Sequence, residues 1–141
     1  MMRVVPDTNV VVSAALTPSG PSFQIIELAS QQLIQLWMSP ATLAECEDVL
    51  NRPRVGIEPI HAKTMISWLK KISQLTTPTK VVTSSPDPKD NMFLECAEAA
   101  KAHYLVTGNI RDFPQRWKYT SVVTPRQFFN LFGTPPIKIR R

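Results

Sequence analysis

An α/β domain on a central parallel sheet is the fold class this sequence predicts, and three observations carry the expectation. Short β-rich runs alternate with stretches of helical periodicity along the chain, the pattern of strand–helix–strand units. The 141 residues, 43% apolar and 8% aromatic, suit one domain with an ordinary core and argue against disorder. Acidic residues recur at or just beyond the ends of the β-rich runs, where open parallel sheets gather their functional groups.

The elements follow in order. Arg3-Val4-Val5 opens a strand that ends at Pro6-Asp7. Val10 to Leu16 is apolar and begins a helix that Pro18, Gly20 and Pro21 interrupt. Ser22 is placed to cap a second helix carrying Phe23, Ile26 and Leu33 at helical spacing. Ile34 to Met38 reads as the second strand. Ser39-Pro40 then gives a capping hydroxyl followed by proline at the first helical position, with Leu43, Cys46 and Leu50 on one face. Residues 60–75 form another amphipathic helix, with Ile66, Leu69 and Ile72 inward.

Lys80 to Thr83 reads as a third strand, entering the loop 84–90. The next helix buries Phe93, Cys96, Ala97 and Ala100. His103 to Thr107 and Ser121 to Thr124 complete about five strands, and Arg126 to Phe132 forms a short last helix. Residues 1–132 make the domain, and 133–141, with two prolines and a basic end, read as a flexible tail. There are no repeats and no linker.

Composition excludes several classes. No stretch approaches the ~18 apolar residues needed to cross a bilayer, and Asp7 lies too early for a signal-peptide core, so a soluble cytoplasmic protein is expected. Cys46 and Cys96 form no C-x-x-C pair and read as reduced apolar fillers rather than zinc ligands. The net charge of +5 concentrates at Lys70-Lys71, between Arg111 and Lys118, and at Lys138, Arg140 and Arg141. Lys70-Lys71 reads as solvated surface. The other clusters suit a polyanion, whose phosphates are neutralised without regard to sequence.

The acids are informative as a set. Asp7 ends an apolar strand, where a carboxylate is costly unless donors or a cation satisfy it. Its plainer role is a helix cap, with Thr8 and Asn9 shaping the turn. Glu45 borders the apolar face of its helix and resembles its exposed neighbours Glu47 and Asp48. Asp90, or equally Asp87, serves as a cap for the helix that follows. Thr107 to Phe113, which includes Asn109 and Asp112, is adequate as a turn. Together these segments bring carboxylates to one edge of the sheet, where mutual repulsion calls for a cation. Hard oxygen donors of this kind suit Mg²⁺ or Mn²⁺.

At this point the sequence resembles the PIN domain family, including the VapC-like toxins of prokaryotic toxin–antitoxin modules. The resemblance rests on an ordered set: Val5-Pro6-Asp7-Thr8-Asn9-Val10, Ser39-Pro40 before Leu43-Ala44-Glu45, Asp87-Pro88-Lys89-Asp90-Asn91, Tyr104-Leu105-Val106-Thr107-Gly108-Asn109 and Asp112-Phe113-Pro114. Val123-Thr124-Pro125 and Phe128 close it, so it spans most of the chain. It implies a PIN-like three-layer sandwich around a parallel sheet. It also implies a metal-dependent endoribonuclease, holding Mg²⁺ or Mn²⁺ and cutting single-stranded RNA. Carried over by position, Asp7, Glu45 and Asp90 are the acidic metal site, Thr8 and Asn9 belong to the first motif, and Thr107 supports it. A cognate antitoxin protein and a homodimer are further implications.

One position departs from the pattern: many members have Asp where this chain has Asn109. An amide oxygen can ligate a cation but adds no charge, and Asp112, three residues on, is placed to supply it. The rival reading is a non-catalytic PIN-like module binding RNA or protein. A receiver-type phosphoryl-transfer domain is disfavoured, since no second Asp follows two residues after Asp7. A glycine-rich phosphate loop is also missing.

Overall fold

Parallel strands need crossover connections, and the computed structural model of the chain provides them with helices on both faces of one sheet. Residues 1–85 and 87–132 are described; the expected flexible tail, with Lys138, Arg140 and Arg141, lies outside them. The strands are β1 (Arg3–Pro6), β2 (Gln35–Met38), β3 (Ser73–Leu75), β4 (Tyr104–Val106), β5 (Arg116–Trp117) and β6 (Thr120–Val123). The helices are α1 (Thr8–Leu16), α2 (Pro21–Ser30), α3 (Pro40–Leu50), α4 (Pro59–Ile72), α5 (Asn91–Ala100) and α6 (Pro125–Phe132). The sheet order is β3-β2-β1-β4-β6-β5, parallel throughout except for β5, which pairs antiparallel with β6.

Alternation along the strands divides the core in two. Val4, Leu36, Val106 and Val123 face one side, where α1, α2, α3, α4 and α6 contribute Val11, Ile25, Leu50, Leu69 and Phe128. Val5, Leu105 and Val122 face the other, packing on Phe93, Leu94 and Ala97 of α5. This is the three-layer arrangement expected. Ser39 caps α3 as expected, accepting from Thr42 N while Ser39 N donates to Thr42 Oγ1. Lys70 and Lys71 sit in the last turn of α4, where cations complement the helix dipole.

Five expectations are corrected. Lys80 to Thr83 is not a strand: Val82 packs toward α5 and its N–H donates to Glu95 Oε2 (3.0 Å), while Val81 is 87% exposed. The slot beside β2 is taken by β3, which leaves α4 without a loop, its extended backbone starting at Ser73. With no turn residues between them, these last residues had the look of more helix. The short β5 adds a sixth strand beyond the five expected, since two residues carry no alternation for a sequence to show. Ser22 does not cap α2; Gly20 holds that position, Pro21 begins the helix, and Ser22 is buried. Leu33 lies past the end of α2 and is half exposed rather than inward.

Candidate active site

Strand β1 ends where α1 begins, and Asp7 occupies the junction. Its Oδ1 accepts from Thr8 N (2.7 Å), so the carboxylate caps α1. Its Oδ2 accepts from Thr107 Oγ1 (2.8 Å) and Asn9 Nδ2 (2.9 Å). Thr107, just beyond β4, is fully buried and works as a hub, also accepting from Asn109 N (3.0 Å). Asn9 ties the same corner from the other side, its Oδ1 accepting from Gly108 N (2.8 Å). A side chain at Gly108 would press on that oxygen, with a Cβ 3.3 Å from it. Adjacent parallel strands thereby fix one carboxylate through two neighbouring motifs. Burial still pushes the Asp7 carboxyl above its ordinary range; the donors from Thr107 and Thr8 oppose that, and the Asp112 charge adds to it.

A cavity of about 550 Å³ opens beside Asp7, and Glu45, Asp87, Asp90 and Asp112 also line it. Asp90 takes the N-cap position of α5 but makes no capping bond, because its backbone is already helical. Asp87 does the capping instead, its Oδ1 accepting from Lys89 N (3.0 Å) to close a 3₁₀ turn over Pro88–Asp90. The Asp90 carboxylate is left facing other acids. Burial first, then the charges of Asp7, Asp87, Asp112 and Glu45, push it up to about 6. Ser85 is tied to two neighbouring segments: its Oγ donates to Asp112 O (2.6 Å) in the 3₁₀ turn Ile110–Asp112, and its N–H donates to Asn91 Oδ1 (2.8 Å) at the start of α5.

All four acids singled out from the sequence therefore meet at one cavity, with Thr8 and Asn9 in its wall and Thr107 bonded to Asp7. Asn109 is the exception. Its side chain turns to Asp112, donating from Nδ2 to Oδ2 (2.7 Å), and it lines a neighbouring cavity. Three charged lining residues were not singled out as site members. Asp87 had a signal, since it competes with Asp90 for the capping role. Lys89 carried one too, through the same motif. Arg52 had none; it follows α3 and pairs with Asp48 (2.6 Å). The basic stretch from Arg111 to Lys118 contributes no cation to this cavity.

The donor set suits a hard divalent cation. None of the five lining carboxylates forms an ion pair with a described residue. No three described carboxylate, imidazole or thiol groups lie close enough to enclose an ion. Cys46 and Cys96 are buried and free, their thiols pushed up to about 12 by burial, so they act as packing groups.

The chain is similar to several known proteins. The uncharacterised protein MJ1680 of Methanocaldococcus jannaschii is 28% identical over 144 residues, covering 93% of this chain and 92% of its own. In structure the chain resembles one from VapBC2 of Rickettsia felis, solved bound to a DNA fragment from their promoter. The TM-score is 0.59 at 16% identity, covering 86% of this chain and 97% of that one. The T. brucei RRP44 PIN domain aligns over 92% of this chain and 79% of its own, with a TM-score of 0.48 and 14% identity. No described helix is long and apolar enough to cross a membrane. A PIN domain family profile matches residues 3–111; the chain belongs to the PIN domain family and carries its nuclease fold.

Proposed function

We propose that this protein is a metal-dependent endoribonuclease that cuts single-stranded RNA, acting as the toxin of a toxin–antitoxin module. The observation that carries the reading is the Asp90 carboxylate. It faces Asp7, Asp112 and Glu45 across one cavity, without a hydrogen bond or a cation from the described residues. A group held this way is unfavourable in a resting structure and useful once a cation arrives.

Asp7, Asp90, Asp112 and Glu45 would hold Mg²⁺ or Mn²⁺. When bound, such an ion neutralises the phosphodiester and lowers the pKa of a coordinated water. Asp7 is the fixed member, because three donors define both of its oxygens. Glu45, on α3, makes no side-chain hydrogen bond or ion pair with a described residue and would orient the attacking water through its carboxylate. Lys89 and Arg52, at the rim, bring positive charge to the flanking phosphates.

The toxin role rests on the resemblance to VapC-like proteins and on the fold shared with VapBC2. In this reading the chain works in the cytoplasm as a homodimer held in check by a cognate antitoxin. A non-catalytic module is the alternative, and one assay separates them. Purified protein should cut a single-stranded RNA oligonucleotide with Mg²⁺ or Mn²⁺ and stop in excess EDTA. Cleavage that continues in chelator sinks the mechanism, and RNA binding with no cleavage in either metal favours the non-catalytic module.

A further inference from the structure

Beyond the acidic cavity, on the far side of Asn9, lies a second cavity of about 720 Å³. Asn9 and Ser13 line both, so the two share a wall. Their chemistry is opposite. The first is lined by five carboxylates; the second has no acidic residue in its lining and one cation, Arg126 at the start of α6.

Ser22 gives this second cavity its direction. The residue is only 4% exposed, yet it lines the cavity and its hydroxyl has no hydrogen-bond partner among the described residues. Its oxygen is not sealed in the core, where the unpartnered side-chain oxygen among the described residues is that of Ser73; the hydroxyl opens to the cavity and can donate to a ligand there. Ser22 sits in the first turn of α2, whose start has Gly20 at the N-cap, Pro21 without an N–H and no capping side chain, so the Ser22 N–H has no intrahelical partner there. Arg126 forms no ion pair with a described residue and is exposed. A guanidinium, a hydroxyl donor and an uncapped helix start around one acid-free cavity make an anion site.

We infer that this cavity is a backbone-phosphate subsite of the RNA, gripping a phosphodiester next to the one held at the acidic site. The inference rests on the ribonuclease reading for its ligand. It also gives Asn109 a reason: residue 109 lines this cavity, and a carboxylate there would repel the phosphate. The neutral amide keeps the wall compatible with an anion while still bonding to Asp112.

The test measures binding without cleavage. A single-stranded uridine decamer is titrated in EDTA against wild type, Arg126→Gln, Ser22→Ala and a control, Lys63→Gln on α4, across a salt series. Arg126→Gln should weaken binding by about fivefold at low salt and make the log–log salt slope shallower by about 0.7, the value for one phosphate contact on a single strand. Ser22→Ala should weaken binding with the slope unchanged, and Lys63→Gln should do neither. Inorganic phosphate should also shift the amide resonances of Ser22 and Arg126. If both cavity variants bind as wild type does, the subsite is overturned, even where Mg²⁺-dependent cleavage is intact. If cleavage is absent but these variants lose affinity as stated, the subsite stands and the ribonuclease reading falls.

Discussion

Asn109 donates its side-chain amide to Asp112 Oδ2 at 2.7 Å, and this bond links the one departure from the family's motif to an acid of the site. The amide holds the Asp112 carboxylate from outside the acidic cavity, so in the proposed site Asn109 is a positioning residue.

Asn109→Asp replaces that bond with two facing carboxylates. Without metal, the variant should lose about 1 kcal/mol, a loss limited by the exposure of residue 109. Divalent ions should restore part of it, so the rise in melting temperature on adding Mg²⁺ should be larger than in wild type. Paired melts with EDTA and with Mg²⁺ measure both terms. Equal melting temperatures without metal would mean that the bond contributes nothing.

Asp7→Asn and Asp90→Asn should separate two kinds of acid. Clustering alone predicts that removing either charge relieves repulsion. Asp7, however, accepts from Thr8, Thr107 and Asn9, and an amide in its place sets its own N–H₂ against donors. Asp7→Asn should therefore cost about 1–2 kcal/mol as well as abolish cleavage. Asp90→Asn should abolish cleavage at no cost in stability. Melts and cleavage assays on the same preparations decide it; equal destabilisation by both would make Asp90 structural.

The sign of the pH dependence follows from Asp90. Its folded pKa lies at about 6, above the ordinary 3.8, so the folded state holds this proton more tightly than the unfolded chain. Ionising it costs the fold nothing below pH ~4, progressively more between about 4 and 6, and the full amount above. Metal-free wild type should thus lose about 1 kcal/mol relative to Asp90→Asn as pH rises from 4 to 7, after allowance for its solvent exposure. Mg²⁺ should flatten the difference. Chemical-denaturation curves of both proteins at several pH values give it directly, and a constant difference would show that Asp90 feels no such field.

The cysteines supply a control on the native packing. With both thiols buried and pushed up to about 12, iodoacetamide at pH 8 should label neither in the folded protein and both in denaturant. Rapid labelling of either in the native state, followed by mass spectrometry, would contradict the burial found here.

What the sequence alone determined was local in origin. Strand–helix alternation, the Ser39-Pro40 start of α3 and the apolar faces of α3, α4 and α5 follow from periodicity and capping chemistry, which act over a few residues. Asp7, Glu45, Asp90 and Asp112 stand out as a set through the ordered motifs that resemble the PIN family; by its spacing alone Glu45 looks like its exposed neighbours Glu47 and Asp48. Only the tertiary structure decided which strand completes the edge of the sheet, since Ser73–Leu75 gains its place by backbone pairing with β2 rather than by its own side chains. It also decided the roles of Asp87 and Asp90, alike in the sequence, one spent on a cap and the other left facing the cavity. The aim of Asn109 and the open hydroxyl of Ser22 were decided there as well. These depend on where separate segments meet, and the free energy of such meetings belongs to long-range packing that no short window of sequence contains.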